Sequence, residues 1–280
     1  MINQGYDTII YMNAVWLVMM FAAGACVGSY LCCQVRRMHL KATAKNVKSL
    51  GNRSVCMKCK YRLKWYDNIP IISWLWLKGR CRKCGHKIGI AEVLAEVGMG
   101  IAFVMLATTI NIAIATPLEW GIFGMTMILS IVLGELAIYD GLYGELPVLY
   151  LTISIVCAII LLILKEWSLL AAAPFSVLEN VWQPLGAVVV LGGLYLVLYL
   201  VSKGKWVGDG DWILGTVIGL TLMSPWLALV ALCITNMLAC VVTLPMLKKM
   251  RNKKIHLGPF IVAAWVITTT LADMLNNVIG

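Results

Sequence analysis

The chain has 280 residues, of which 61% are hydrophobic and 13% are charged, and its mean hydropathy is +0.87. Because soluble domains carry about 25% charged residues, this composition excludes a soluble globular protein and indicates a membrane protein with several spans. The net charge of +10 fits cytoplasmic loops and attraction to anionic lipid headgroups better than nucleic-acid binding. We therefore expect the lipid bilayer, and no nucleic acid, among its partners.

Eight apolar runs are candidates for membrane-spanning helices, since a helix needs about 20 residues to cross about 30 Å of hydrocarbon. The sixth run is the weakest candidate, because it is short and ends at Ser224-Pro225. The first run lacks the basic flank of a secretory signal and is counted as a span. An all-α polytopic membrane protein with about eight transmembrane helices is predicted. The runs cover residues 13–34, 92–115, 121–139, 148–165, 185–202, 212–223, 226–247 and 258–276.

The distribution of lysine and arginine predicts the orientation. Such residues concentrate in cytoplasmic loops, and 15 of the 23 lie between Arg36 and Lys87. With eight spans and the amino terminus outside, only Lys165 falls on the outer side. The remaining basic residues on the inner side are Lys203, Lys205 and the five between 248 and 254.

Two C-x2-C pairs follow the first span: Cys56 with Cys59, and Cys81 with Cys84, separated by twenty-one residues. This gap is slightly longer than is usual in zinc sites. Four thiolates complete a tetrahedral shell, so the predicted zinc is structural, with no open position for water. Two disulfides are the alternative, which a reducing cytosol disfavours. The other six cysteines lie in apolar runs and are expected to be small core residues.

The segment between the pairs, residues 65–78, is too short to span the membrane but rich in tryptophan. It either settles at the headgroup level of the inner leaflet or forms the core of the small zinc domain, and the pattern does not decide between them. Glu96 lies about one turn into the second span, where it either serves a polar contact or is a snorkelling carboxylate. Glu135 lies deeper and is a candidate polar partner within the bundle.

Two acidic turns are candidate functional sites, because ionisable groups at the ends of membrane helices often have a function. Asp140 ends the third span before a turn that reaches Pro147, and Gly208-Asp209-Gly210-Asp211 precedes the sixth. On the predicted topology both turns are cytoplasmic. A close pair of carboxylates cannot both ionise easily, so one can activate water while the other hydrogen-bonds the carbonyl under attack. A solvated turn is the alternative for G-D-G-D alone.

The sequence offers few residues for other catalytic mechanisms. The sequence contains no G-x-S-x-G elbow and no H-E-x-x-H motif. Its three histidines are scattered in or beside basic loops, and each is expected to be a solvated loop residue. They are His39, His86 and His256.

These motifs resemble those of the type IV prepilin peptidases, a family of bacterial membrane aspartic proteases of which many also N-methylate the cleaved pilin. The likeness extends over most of the chain and is most specific in the cysteine region. The matching segments are Gly28-Ser29-Tyr30-Leu31 with Arg37, Arg53 through Cys59, Trp65 through Pro70, Ser73-Trp74, Gly79 through Gly85, Asp140 with Pro147, Gly208-x-Gly210-Asp211, and Gly258-Pro259-Phe260.

The resemblance implies a multi-pass protein of the bacterial inner membrane that removes the leader of type IV prepilins or pseudopilins at the cytoplasmic face. It implies Asp140 and Asp211 as catalytic residues and Gly208 and Gly210 as an active-site loop. A first helix (1–35), a cytoplasmic zinc-binding domain (36–91) and a transmembrane peptidase domain (92–280) are expected.

The resemblance also implies N-methylation of the new amino terminus with S-adenosylmethionine, with Gly79 and Glu96 as the corresponding residues. The chain departs from the family pattern in three places. Ile213 replaces a lysine, whose charge would have to come from Lys203 or Lys205. Cys32 replaces an asparagine, and His256-Leu257 replaces Pro-Phe. The alternative function is a non-enzymatic membrane protein, either a proton- or cation-coupled transporter or an assembly scaffold.

Overall fold

A computed structural model describes residues 2–43, 55–56, 58–59, 61–112, 114–172, 182–204, 207–244 and 256–276. Within these ranges each of the eight predicted apolar runs contains a helix, although the helix of the second run, 92–115, ends at Ala107, and β-structure is limited to two isolated bridges. The predicted all-α class is confirmed. Lys205 and the basic cluster at 248–254 lie outside the described residues. The helices are α1 (Ile2–Thr43), α2 (Ile72–Trp76), α3 (Ile90–Ala107), α4 (Pro117–Tyr143), α5 (Val148–Ala172), α6 (Trp182–Ser202), α7 (Asp211–Leu222), α8 (Pro225–Thr243), α9 (Gly258–Thr270) and α10 (Ala272–Asn276).

Six of these helices are long and apolar enough to cross a membrane: α1 through its residues Asn13–Lys41, α3, α4, α5 through Val148–Ser168, α6 and α8. The chain is therefore a multi-pass membrane protein. Helices α7 and α9 have 12 and 13 residues, and at 1.5 Å per residue they reach only about 18 to 20 Å. The predicted number of eight spans is not confirmed, because these two helices are shorter than the hydrocarbon layer.

The chain forms two compact units, Met1–Ala107 and Thr108–Gly280. The three-part division expected from the sequence stays a prediction. In the first unit, α1 packs along α3. Gly24 lies against Met99, and Gly28 lies against Ala95, so the two helices run antiparallel. A side chain at either glycine would overlap the backbone of α3, so these small residues allow the two helices to pack closely.

Helix α7 is the centre of the second unit, where it packs against α5, α6, α8 and α9. Its contact with α6 is close because Gly219 meets the backbone at Ala187 and Gly215 meets Leu191. A π-helical turn, Val189–Gly193, lies within α6 at this contact. Such turns are frequent at functional sites. The packing fixes α7 in the core and so fixes the position of Asp211 at its first turn.

The tryptophan-rich segment of the first unit has one buried face and one exposed face. Trp65 and Trp76 are 79% and 80% exposed, and Ile72 and Leu75 are also exposed. On the inner face, Asp67 is buried and the Trp74 ring covers Gly79. The segment therefore contributes to the small cysteine domain and at the same time presents an apolar surface outward.

Candidate active site and metal centre

The two cysteine pairs occupy equivalent turns. In the first, the Cys56 N–H donates to the Tyr61 carbonyl, and in the second the Cys81 N–H donates to the His86 carbonyl, at 2.9 and 2.8 Å. An isolated antiparallel bridge closes each turn, Val55 with Arg62 and Arg80 with Lys87. The two turns bring the four sulfurs within 4.8 Å of one another.

The sulfur positions fit a tetrahedral metal. The Cys56 and Cys84 sulfurs are 3.8 Å apart, and those of Cys59 and Cys81 are 4.0 Å apart. Zinc–sulfur bonds of about 2.3 Å in a tetrahedron place the sulfurs about 3.8 Å apart. All four cysteines are free, and these separations far exceed a disulfide bond of about 2.05 Å. The predicted cluster of four cysteines is therefore present, and it could hold a metal ion.

The environment of Cys56 favours the thiolate form that binds metals. Burial opposes its ionisation, but the backbone N–H groups of Cys59 and Lys58 outweigh this and lower its pKa to about 7. Asp67 ties the tryptophan-rich segment to the second pair, because its Oδ1 accepts a 2.8 Å bond from Arg82 Nε. This carboxylate raises the pKa of the Arg82 guanidinium.

Glu96 and Gly79, the two residues implied for methyl transfer, lie near a cavity of about 540 Å³ within the first unit. Glu96 is buried and lines it, and its Oε2 accepts a 2.7 Å bond from the Ile71 N–H at the start of α2. Gly79 supports the Trp74 ring that lines the same cavity. Glu96 is therefore a buried hydrogen-bonding partner of α2 and does not snorkel.

Asp140 lies in the last turn of α4, which continues through Tyr143 and ends at Gly144. The sequence prediction ended this span at residue 139 and assigned Asp140 to the turn. The helix is longer because Gly144 is the residue that adopts the left-handed conformation, with φ of 71°, and its N–H bonds the Asp140 carbonyl at 2.8 Å. Asp140 is consequently held on a helix and is only 6% exposed.

Two groups beside α9 contact the Asp140 carboxyl. The Gly258 N–H donates a 2.9 Å bond to Oδ2, and Nδ1 of His256 lies 3.6 Å from Oδ1. His256 also packs on Gly144. His256 lies in a loop and its side chain is partly exposed, as expected, but its imidazole also faces a buried acid, which the sequence did not predict. The sequence signal that pointed here was the replacement of Pro-Phe by His256-Leu257.

Asp211 is the first residue of α7 and is 5% exposed, whereas Asp209 is exposed. The Gly208 N–H donates a 2.8 Å bond to Asp211 Oδ2, and this closes the turn. Gly210 packs directly on Leu146, in the loop that follows α4. This contact joins the turn that carries Asp211 to the loop after Asp140.

The contact between Gly210 and Leu146 thus places Asp140 and Asp211 at the same end of the second unit. Each carboxyl is buried and has one oxygen oriented by a glycine N–H. Two such groups can share one proton, with one serving as acceptor and the other as donor. Glu135, the deeper acid, is buried and interacts with Tyr150 of α5.

Comparison with known proteins identifies relatives of the chain. Residues 22–110 match the family model described as Bacterial Peptidase A24 N-terminal domain. Three similar relatives all carry the name prepilin leader peptidase/N-methyltransferase. The Myxococcus xanthus protein is 38% identical over 33% of this chain and 26% of its own length. The Klebsiella pneumoniae protein is 29% identical over 80% of this chain and 90% of its own length. The Aeromonas hydrophila protein is 30% identical over 76% of this chain and 70% of its own length.

No solved structure matches the chain significantly. The chain aligns with about a quarter of the Myxococcus relative, but with most of the Klebsiella and Aeromonas relatives. The longer alignments extend well beyond the cysteine region that the family model describes. On this evidence the chain belongs to the prepilin leader peptidase/N-methyltransferase family.

Proposed function

We propose that the chain is a membrane aspartic endopeptidase that removes the leader peptide of type IV prepilins or pseudopilins. The observation that carries the proposal is the placement of Asp140 and Asp211, which are 71 residues apart in sequence but are both buried, on turns that touch through Gly210 and Leu146. Family membership favours an enzyme over the transporter or scaffold alternatives.

The reaction needs one charged and one neutral carboxyl. The charged carboxylate accepts a proton from water as the water oxygen attacks the peptide carbonyl carbon, and the neutral carboxyl donates its proton to the carbonyl oxygen. When the carbon–nitrogen bond breaks, the amine leaves with the proton that came from water. The carbonyl re-forms, and its proton returns to the carboxyl that donated it. No covalent intermediate and no metal ion takes part.

Cleavage at the cytoplasmic face of the bacterial inner membrane is supported by the distribution of charge. Asp140, at the carboxyl end of α4, and Lys203, after the carboxyl end of α6, lie at the same predicted face. The basic residues between Arg36 and Lys87 are predicted on this face as well. A basic prepilin leader would meet Asp140 and Asp211 there, while its apolar helix stays in the bilayer.

The test is cleavage of a prepilin by the purified full-length protein in detergent, followed by mass spectrometry of the product. Asp140→Asn should lower the rate more than about 1,000-fold, because the catalytic pair acts as a unit. Glu145→Gln is the matched control, since Glu145 is an exposed acid in the adjacent loop. Cleavage by Asp140→Asn at the rate of the control would contradict the proposal.

A second activity, N-methylation of the new amino terminus, is favoured by the cavity in the first unit. Its volume of about 540 Å³ accommodates S-adenosylmethionine, and two of its lining residues hold buried polar atoms without a hydrogen-bond partner among the described residues. These atoms are Trp74 Nε1, a donor, and Glu92 Oε2, an acceptor. Buried atoms of this kind usually have a partner, which a bound ligand can supply.

S-adenosylmethionine supplies an electrophilic methyl group to an amine. In this cavity Trp74 would donate to the ligand and Glu92 would accept from it, while Arg36 holds Glu92 in place through a 2.7 Å ion pair. Glu96 would fix one wall of the cavity through its bond to Ile71. Gly79 would allow the Trp74 ring to lie flat against the backbone.

Trp74→Phe removes the indole donor and keeps the ring contact. We expect binding of S-adenosylmethionine to weaken about fivefold, the value of one hydrogen bond. Methylation of the mature pilin should fall while cleavage is retained. Trp76→Phe is the control, because Trp76 is exposed. Equal methylation by the two variants would contradict the assignment of this cavity, and an unmethylated product from the parent protein would contradict the activity.

We also propose that the metal in the cysteine cluster is zinc with a structural role. The four sulfurs, Sγ of Cys56, Cys59, Cys81 and Cys84, fill the coordination shell. The metal would fix the two turns of the cysteine domain and take no part in the chemistry.

A further inference from the structure

The two acids of the proposed catalytic pair have different surroundings. Asp140 has a backbone N–H on Oδ2 and an imidazole 3.6 Å from Oδ1. Asp211 has a backbone N–H on Oδ2, and the charged or titratable groups that act on it are Asp140, Asp209 and Tyr195. No cation is among these groups in the part of the chain that the structure describes. The environment of Asp140 is therefore the more favourable one for a negative charge.

Resting on the proposed function, we propose that His256 is a positioning residue that keeps Asp140 charged. Asp140 is then the member of the pair that activates water, and Asp211 holds the shared proton. Only the imidazolium form of His256 provides the cation, and its side chain is 39% exposed, so it exchanges protons with solvent. Among the described residues, His256, from the loop before α9, faces the Asp140 carboxyl, and Asp211, at the start of α7, is the other titratable group that interacts with it.

The position of His256 is fixed by the fold. Its ring packs on Gly144, where a β-carbon would lie 2.5 Å from Cε1. Two residues later, the Gly258 N–H binds the same carboxyl that the ring faces. One short segment, His256 to Gly258, thus supplies both contacts to Asp140, and the left-handed glycine at the end of α4 leaves space for the imidazole.

This arrangement accounts for the departures from the family pattern. The lysine expected two residues after Asp211 is replaced by Ile213, and Lys203, one of the residues expected to compensate, is exposed. His256 stands where the family motif has proline.

The test compares His256→Asn with His256→Lys in prepilin cleavage between pH 4 and 9. His256→Asn removes the cation and should move the acidic limb of the kcat/KM profile upward by about one pH unit, the lower end of the range for a nearby charge. His256→Lys keeps a cation and should restore the limb, and KM should stay unchanged in both. His39→Asn, the same exchange on α1, is the control.

Infrared titration gives a readout that does not depend on cleavage. The carboxyl band assigned by its loss in Asp140→Asn should persist to higher pH in His256→Asn than in the parent protein. Identical acidic limbs and identical carboxyl titrations in His256→Asn and the parent would overturn the inference. If the parent does not cleave prepilin, the proposed function is contradicted, and the infrared titration alone then decides whether His256 keeps Asp140 charged.

Discussion

The backbone N–H of Gly258 donates a hydrogen bond to the carboxyl of Asp140, which lies 118 residues earlier in the chain. The bond links the start of α9 to the last turn of α4. This close contact explains the glycine of the Gly258-Pro259-Phe260 motif, because a β-carbon at position 258 would lie 2.8 Å from Asp140 Oδ2. Glycine is required there by the close approach of the Asp140 carboxyl.

Gly258→Ala should displace the Asp140 carboxyl and lower prepilin cleavage about 100-fold, as expected when a catalytic group moves by about 1 Å. Gly121→Ala in α4 is the control, since a β-carbon there meets nothing within 4 Å. Cleavage rate and thermal stability are measured together for both variants. Similar cleavage by Gly258→Ala and Gly121→Ala would show that the contact does not position Asp140.

Thr221→Val should destabilise the second unit. Thr221 Oγ1 accepts a 2.9 Å bond from the buried Trp265 Nε1 and so joins α7 to α9. The substitution leaves the indole N–H without this acceptor, at a cost of about 1 to 3 kcal/mol in the free energy of unfolding. Thr152→Val is the control, because the exposed Thr152 makes only the bond to the Val148 carbonyl in its own helix. Equal unfolding free energies in detergent would refute this role of Thr221.

The purified chain should hold about one zinc per molecule, as a four-cysteine site predicts. Serine at any of the four positions, for example Cys81→Ser, should release it, because the shell is then incomplete. Cys240→Ser, at an exposed cysteine of α8, should keep it. Elemental analysis of the purified variants measures this. Zinc retained in Cys81→Ser, or lost in Cys240→Ser, would argue against the proposed site.

Asp67→Asn should loosen the cysteine domain without removing a metal ligand. It weakens the ion pair with Arg82 and the bond from the Lys64 N–H, which together hold the tryptophan-rich segment against the second cysteine pair. Zinc release to a chelator should become several-fold faster than in the parent protein. Arg80→Gln, at an exposed neighbouring residue, serves as the control. Release at the parent rate would mean that Asp67 does not support the cluster.

The sequence predicted the features that depend on local spacing. The eight apolar runs follow from the need to match the membrane with continuous apolar residues, and each of them contains a helix. The C-x2-C spacing predicted the cysteine cluster, since two such pairs are typical of one tetrahedral site. The number of spans was less certain. The short sixth run, 212–223, was predicted and corresponds to α7, whereas the eighth run, 258–276, is divided at Leu271 into α9 and α10.

Contacts between residues that are far apart in sequence were harder to predict. The predicted topology put the turns of Asp140 and Asp211 on the same membrane face, but the contact between Gly210 and Leu146 that joins these turns depends on tertiary packing. His256 was expected to be solvated because it follows a basic loop. Its approach to Asp140 follows from the position of α9 against α4, which no local pattern reveals.

The most direct test of the catalytic pair is a comparison of two acids in one turn, Asp211→Asn and Asp209→Asn. Both substitutions remove one negative charge, but Asp211 is buried beside Asp140 and Asp209 is exposed. The rate of prepilin cleavage should fall more than about 1,000-fold in Asp211→Asn and stay within about threefold of the parent in Asp209→Asn, since surface changes are usually mild. Equal rates in the two variants, whether high or low, would contradict the assignment of Asp211 as half of the active site.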